Sequence, residues 1–179
     1  MKSRSRHGAL GSALCLAAAV FAGGVQASPQ GQDRPFKATL KFSESVMFTG
    51  AAPCFAIGLI NGNGQAAHVG ELRATSRDCI NPLGMFDPNG PTAYQFTSGT
   101  GPDGLVFIAA NGDQLFATYA GTLRPQPDGP HAMAGHFVIT GGTGRFAAAT
   151  GGGTFEGSEN ISHMGGGEGE ISLSGRLQY

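Results

Sequence analysis

The chain has 179 residues, with 31 glycines, 12 phenylalanines, no tryptophan, 13% charged residues and a formal net charge of −1. Forty per cent hydrophobic content at so little charge excludes a solvated disordered chain, and glycines without an every-third spacing exclude collagen. Because each interior glycine costs a helix about 1 kcal/mol relative to alanine, glycines scattered along the chain also exclude a long helical protein and leave a turn-rich β protein.

Residues Met1 to Ala27 read as a secretory signal: Lys2, Arg4 and Arg6, then an apolar stretch from Ala9 to Val20, then the small-x-small site Val25-Gln26-Ala27. The stretch is too short to span a bilayer, and no later segment reads as a transmembrane helix. Cys15 follows Leu14 where a lipoprotein signal wants a small residue, so lipid anchoring is not expected. Cleavage after Ala27 leaves one domain, residues 28–179, in a secreted or periplasmic location. The leader takes three basic residues with it, and the remaining Lys and Arg are spread singly from Arg34 to Arg176. No basic patch is left to displace counterions from phosphates, which excludes nucleic acid as a partner.

The mature chain opens on strict alternation. Phe36, Ala38, Leu40 and Phe42 interleave with Lys37, Thr39, Lys41 and Ser43, a strand with one buried face. Cys54 and Cys79 are the two cysteines of the mature chain; in an oxidising compartment an even pair favours a disulfide, worth about 3 kcal/mol by loop-closure entropy. Phe55 to Ile60 and His68 to Ala74 form a strand pair joined by Asn61-Gly62-Asn63-Gly64. Ile80 to Pro91, with three prolines, reads as a long surface loop.

An Asn111-Gly112 pair between two apolar β-prone runs, Leu105 to Ala110 and Leu115 to Ala120, is a strong hairpin signal. Arg124 to Pro130 is a turn region, and Phe137 to Thr140 and Gly153 to Phe155 are further short strands. Gly165 to Gly169 reads as a flexible loop before the closing strand, where Ile171, Leu173, Gly175, Leu177 and Tyr179 alternate with polar residues. About eight strands in one domain suit a closed antiparallel barrel or a sandwich. The barrel is preferred, since closure removes edges that so few charges could protect.

The chemical motifs are sparse. His68, His131, His136 and His163 lack zinc-ligand spacing, and no metal site is expected. Gly142-Thr-Gly144-Arg-Phe-Ala147 matches a dinucleotide fingerprint but lacks the helix and second strand that give it meaning, so no cofactor is expected. No Gly-x-Ser-x-Gly elbow occurs. Glu168 and Glu170 read as solvated loop acids, and Glu156 with Glu159 is a nominal acid–base pair.

The run Asn111 to Thr122, the element Gly141-Gly142-Thr143-Gly144-Arg145-Phe146 through Gly151, and the closing strand together resemble exported bacterial proteins of the allene oxide cyclase-like and dirigent-like β-barrel group. The resemblance covers Phe36 to Tyr179 and implies an eight-stranded calycin-like barrel with an apolar cavity, in a group whose members guide ring closure or radical coupling of small molecules. None of the group's catalytic residues maps onto this chain. Physically, the signature glycines permit tight contact, Phe146 can plug one barrel end, and Arg145 can bond the carbonyls of a neighbouring turn.

Two functional expectations follow. The leading one is a non-catalytic barrel that binds a small apolar or amphipathic ligand, with Phe107, Phe116, Tyr119, His136 and Phe137 as interior candidates. The rival is a cyclase or isomerase in which Tyr119, His136 or Glu156 polarises a bound substrate. The rival requires an open cavity of a few hundred Å³ lined by aromatics with two or three convergent polar groups. Either is compatible with a homo-oligomer.

Overall fold

The computed structural model describes residues 31–84, 92–162 and 165–179; the leader read at residues 1–27 lies outside them. Nine strands follow in order: β1 (Asp33–Phe48), β2 (Ala56–Ala66), β3 (Gly70–Leu83), β4 (Ala93–Ser98), β5 (Leu105–Ala109), β6 (Gln114–Arg124), β7 (His131–Gly142), β8 (Thr150–Ser162) and β9 (Gly166–Gln178). Only two one-turn 3-10 helices, Gly101–Asp103 and Gly144–Phe146, interrupt them among the described residues.

Every pairing is antiparallel, and the sheet closes on itself because β2 pairs with both β1 and β3. Nine strands fill eight lanes. β4 and β5 share one lane between β3 and β6: β4 pairs with Asp78–Leu83 and Ala120–Leu123, β5 with Leu72–Thr75 and Gln114–Ala117. Closure leaves no strand edge exposed along the wall. The first and last strands, read from alternation, lie side by side, with Phe36 opposite Gly175 and Leu40 opposite Ile171.

Several segments differ from the sequence reading. Asn61 to Gly64, read as the connection between two strands, lie inside β2, because β1 and β3 pair with them on both sides, and the turn to β3 falls at residues 67–69. β3 runs through Pro82, which was expected in a loop; β2 pairs only as far as Ile80, so on that side Pro82 meets no ladder that needs its missing N–H. β8 spans thirteen residues rather than the three of Gly153 to Phe155, because pairing on both sides carries it through its glycines. Gly166 to Gly169 belong to β9, so Glu168 and Glu170 are strand residues, exposed on the outer face.

The alternation of β1 delivers Phe36, Ala38, Leu40 and Phe42 to the interior, where Phe36 packs between Phe107 and Phe137 at ring separations of 6.2 and 5.8 Å. Fully burying a side chain of this size contributes about 1.5–3 kcal/mol.

The signature element closes one end. Gly144 adopts a φ of +55°, which glycine takes without a steric penalty, and the turn it starts drives Phe146 into the barrel with no exposure. Phe146 meets Tyr179 edge-on at 5.1 Å. Arg145 lies 4.7 Å over the Phe146 ring and donates to the carbonyl of His68 at 3.1 Å, tying the cap to the β2–β3 turn. Only the one-turn 3-10 helix Gly144–Phe146 stands between these glycines and β8, where a dinucleotide fingerprint would open an α-helix.

Candidate functional site

Among the described residues the opposite end is open. A cavity of about 210 Å³ enters between the last residues of β1 and β8 and the first of β2 and β9, and reaches down to Leu40, Phe137 and Leu173. Its wall is aromatic. Phe96, Tyr119 and Phe155 form a triangle with ring separations of 6.0–6.1 Å, and Phe48 meets Phe55 edge-on at 6.1 Å on the rim. Phe155 fits because Gly135 faces it from β7; a Cβ there would collide with the ring.

The rim loop, residues 49–55, is fixed by the Cys54–Cys79 disulfide and by Asn81, whose Oδ1 accepts from the backbone N–H of Phe55 at 3.0 Å. Thr49 adds hydroxyl contacts to the carbonyls of Cys54 and Phe55.

Three carboxyl groups project into this apolar space: Glu44 from β1, Asp78 from β3 and Glu159 from β8. Each continues the apolar phase of its strand. Glu44 follows Phe42 by two residues, Asp78 follows Leu72, Ala74 and Ser76, and Glu159 follows Phe155 and Gly157. Glycines across the sheet keep room for them, since a Cβ at Gly58 would overlap Glu44 and one at Gly167 would overlap Glu159. Asp78 and Glu159 are 4% and 3% exposed.

Asp78 is held by hydroxyls. Tyr119 donates to Asp78 Oδ1 and lies 2.9 Å from Ser76 Oγ, which in turn donates to the same oxygen at 3.4 Å. Burial pushes the Asp78 carboxyl up to about 7 in spite of these bonds. Burial, with the Glu159 charge and a hydrogen bond to Glu159 beside it, raises Glu44 to about 8; burial raises Glu159 as well, although the hydrogen bond with Glu44 works to lower it. The Tyr119 hydroxyl is held well above its usual range by burial and by Asp78, and so stays a proton donor. Glu159 Oε1 has no hydrogen-bond partner. Among the described residues no Lys, Arg or His comes within ion-pair distance of any of the three.

Of the interior candidates read from sequence, Tyr119 and Phe137 line the cavity. Phe107 is buried in the core beside Phe36, below the cavity. Phe116 lies on the opposite face of β6 from Tyr119, and His136 and Glu156 are exposed on the outer wall. The five therefore do not form one site. Glu44, Asp78 and Glu159, which do converge, could have been found by extending each strand's period-two register beyond its last apolar residue. No group of three metal-ligating side chains with metal-site geometry occurs among the described residues. Nor is any helix there long and apolar enough to cross a membrane.

No family model and no curated protein matches the chain. Among solved structures it is similar to a pterocarpan synthase dirigent protein, at 12% identity over 83% of this chain and 93% of that chain, with a TM-score of 0.46.

Proposed function

We propose that this barrel binds a small, mostly apolar molecule in its open end. One observation carries the reading: a cavity of about 210 Å³ with aromatic walls, in a barrel whose other end is sealed by Phe146. The volume lies below the roughly 300–1000 Å³ of pockets that take drug-sized ligands, which points to a smaller compound. The leader sequence and the Cys54–Cys79 disulfide support an exported setting. Titration with the neutral fluorophore 1-aminoanthracene should give saturable, one-site binding, abolished by Ile171→Trp, which fills the cavity wall. Absence of saturation, or binding indifferent to Ile171→Trp, would overturn the reading.

A second reading is that the bound molecule is isomerised or cyclised by proton transfer. The Tyr119–Asp78–Ser76 cluster favours it: a carboxyl titrating near neutrality, beside a phenol held protonated, is suited to general acid–base work. It requires Asp78 to exchange its proton near pH 7. Carboxyl-resolved NMR showing native Asp78 ionising below pH 5 would sink it.

A further inference from the structure

We propose that the ligand of the open end is a lipophilic ammonium, an apolar body carrying one protonated amine, seated with its nitrogen among Glu44, Asp78 and Glu159. The inference rests on the cavity reading above and deepens it by naming the chemical class.

Among the described residues the cavity offers acceptors and no cation. Glu159 is 3% exposed and lines the cavity; the Glu44 carboxyl hydrogen-bonds to it, yet its Oε1 takes no hydrogen bond, an arrangement that costs free energy unless a further donor arrives. Its register partner on β7, His131, has a buried Nδ1 that is also unpartnered and makes no ion pair with it. Of the bases of β1 and β3, Lys37, Lys41, Arg73 and Arg77 sit on exposed positions of the outer face, and Arg34, part-buried, lies over Tyr179 at the sealed end. An ammonium supplies three N–H donors and no acceptor, which matches three converging carboxyls.

The walls make a second, independent match. The rings of Phe96, Tyr119 and Phe155 surround the space beside the acids, and aromatic faces attract a desolvated cation in addition to packing against its alkyl body. A carboxylate ligand would face like charge, and an alcohol could satisfy one oxygen while leaving the rest of the cluster uncompensated.

The proton balance follows from the geometry. Empty, the buried acids relieve their mutual repulsion by holding protons, as their upward shifts indicate. When an ammonium enters, its charge takes over that role, and a carboxyl proton passes to the buffer. The groups facing the bound nitrogen are Glu44 on β1, Asp78 on β3, Tyr119 on β6 and Glu159 on β8, with His131 on β7 next to the last of these.

Calorimetric titration of the full mature chain at pH 7 with octylammonium, 1-octanol and octanoate separates the possibilities. Octylammonium should bind at least tenfold more tightly than octanol, with octanoate weakest, and its heat should depend on the ionisation enthalpy of the buffer with a slope near one proton released. Glu159→Gln should reduce the ammonium to the affinity of the alcohol; Asp78→Asn serves as a second variant, with thermal unfolding as the check on folding. Octanol binding as tightly as octylammonium, or a preference that survives both substitutions, would overturn the class while leaving the cavity reading standing. Failure of all three compounds to bind would overturn both. Should neither variant fold, the ammonium-to-alcohol ratio and the proton release of the unsubstituted protein decide.

Discussion

The two ends of the barrel are built from the same strands and treat charge in opposite ways. At the sealed end Asp33 meets Arg176 at 2.6 Å, Asp113 meets Arg145 at 3.7 Å, and Arg34 lies 5.2 Å over the Tyr179 ring. At the open end, among the described residues, the three carboxyls have no cation. The hydrogen bond from Arg176 holds Asp33 below the usual carboxylate range, whereas burial lifts Asp78 and Glu44 far above it. The lesson is that the electrostatic cost of this fold is not spread over the molecule. It is concentrated at the end where the interior is accessible among the described residues, which is where local rules of stability are expected to yield to function.

The largest effect should come from breaking the sealed end. Phe146→Ala removes a ring with no exposure and should destabilise the fold by about 3–5 kcal/mol, which thermal unfolding would register as a fall of roughly 10 °C in Tm for a domain of this size. A loss below about 1 kcal/mol would mean the cap is decorative and the two ends are less different than they look.

Next is the clasp of the open rim. Replacing both Cys54 and Cys79 by alanine should cost about 3 kcal/mol through the 25-residue separation they close. It should also weaken 1-aminoanthracene binding, since Phe55 lines the mouth next to the clasp. Denaturant unfolding and the dye titration, run on the same variant, separate these effects.

The smallest effect in energy is the sharpest in sign. Asp78 and Glu44 titrate higher in the folded state than in the unfolded chain, so between about pH 4 and pH 8 the folded protein holds protons that the unfolded chain has released. Stability should therefore be greatest near pH 4 and fall as pH rises to about 8, the reverse of what salt-bridged carboxylates produce. Asp78→Asn should leave stability at pH 4 nearly unchanged and raise it by about 1–3 kcal/mol at pH 8. Denaturant midpoints across that range would show the flattening; a wild-type profile rising from pH 4 to 8 would show that the open end is not strained in this way.

Much of the barrel was legible in the sequence because its two ends of chain alternate cleanly and Asn111-Gly112 sits in the turn between β5 and β6. β4 was missed because a six-residue strand next to prolines carries little pattern, and its existence depends on the partners that β3 and β6 supply. The sealed end was legible in part: the signature carried Phe146 and Arg145 to the roles their chemistry suggests. The acid cluster was not read: Glu159 was paired with Glu156, which stands three residues away on the opposite, outer face of β8. Glu44 and Glu159 lie near the ends of strands whose last residues are exposed, and a lone acid there looks solvated; only closure of the sheet brings β1, β3 and β8 around one space. His136 failed as an interior candidate for the converse reason, standing one residue out of phase with Phe137.

The pairing of β1 with β9 has a consequence in time. Asp33 and Arg176 are 143 positions apart, and the strand with the most regular apolar face finds one of its two neighbours only when the thirteen residues of β9 are present. Contacts so distant in sequence slow folding, because loop entropy is lost before the contact rewards it. Closure of the ring requires the β1–β9 pairing, so burial of the three acids depends on the contact most distant in sequence.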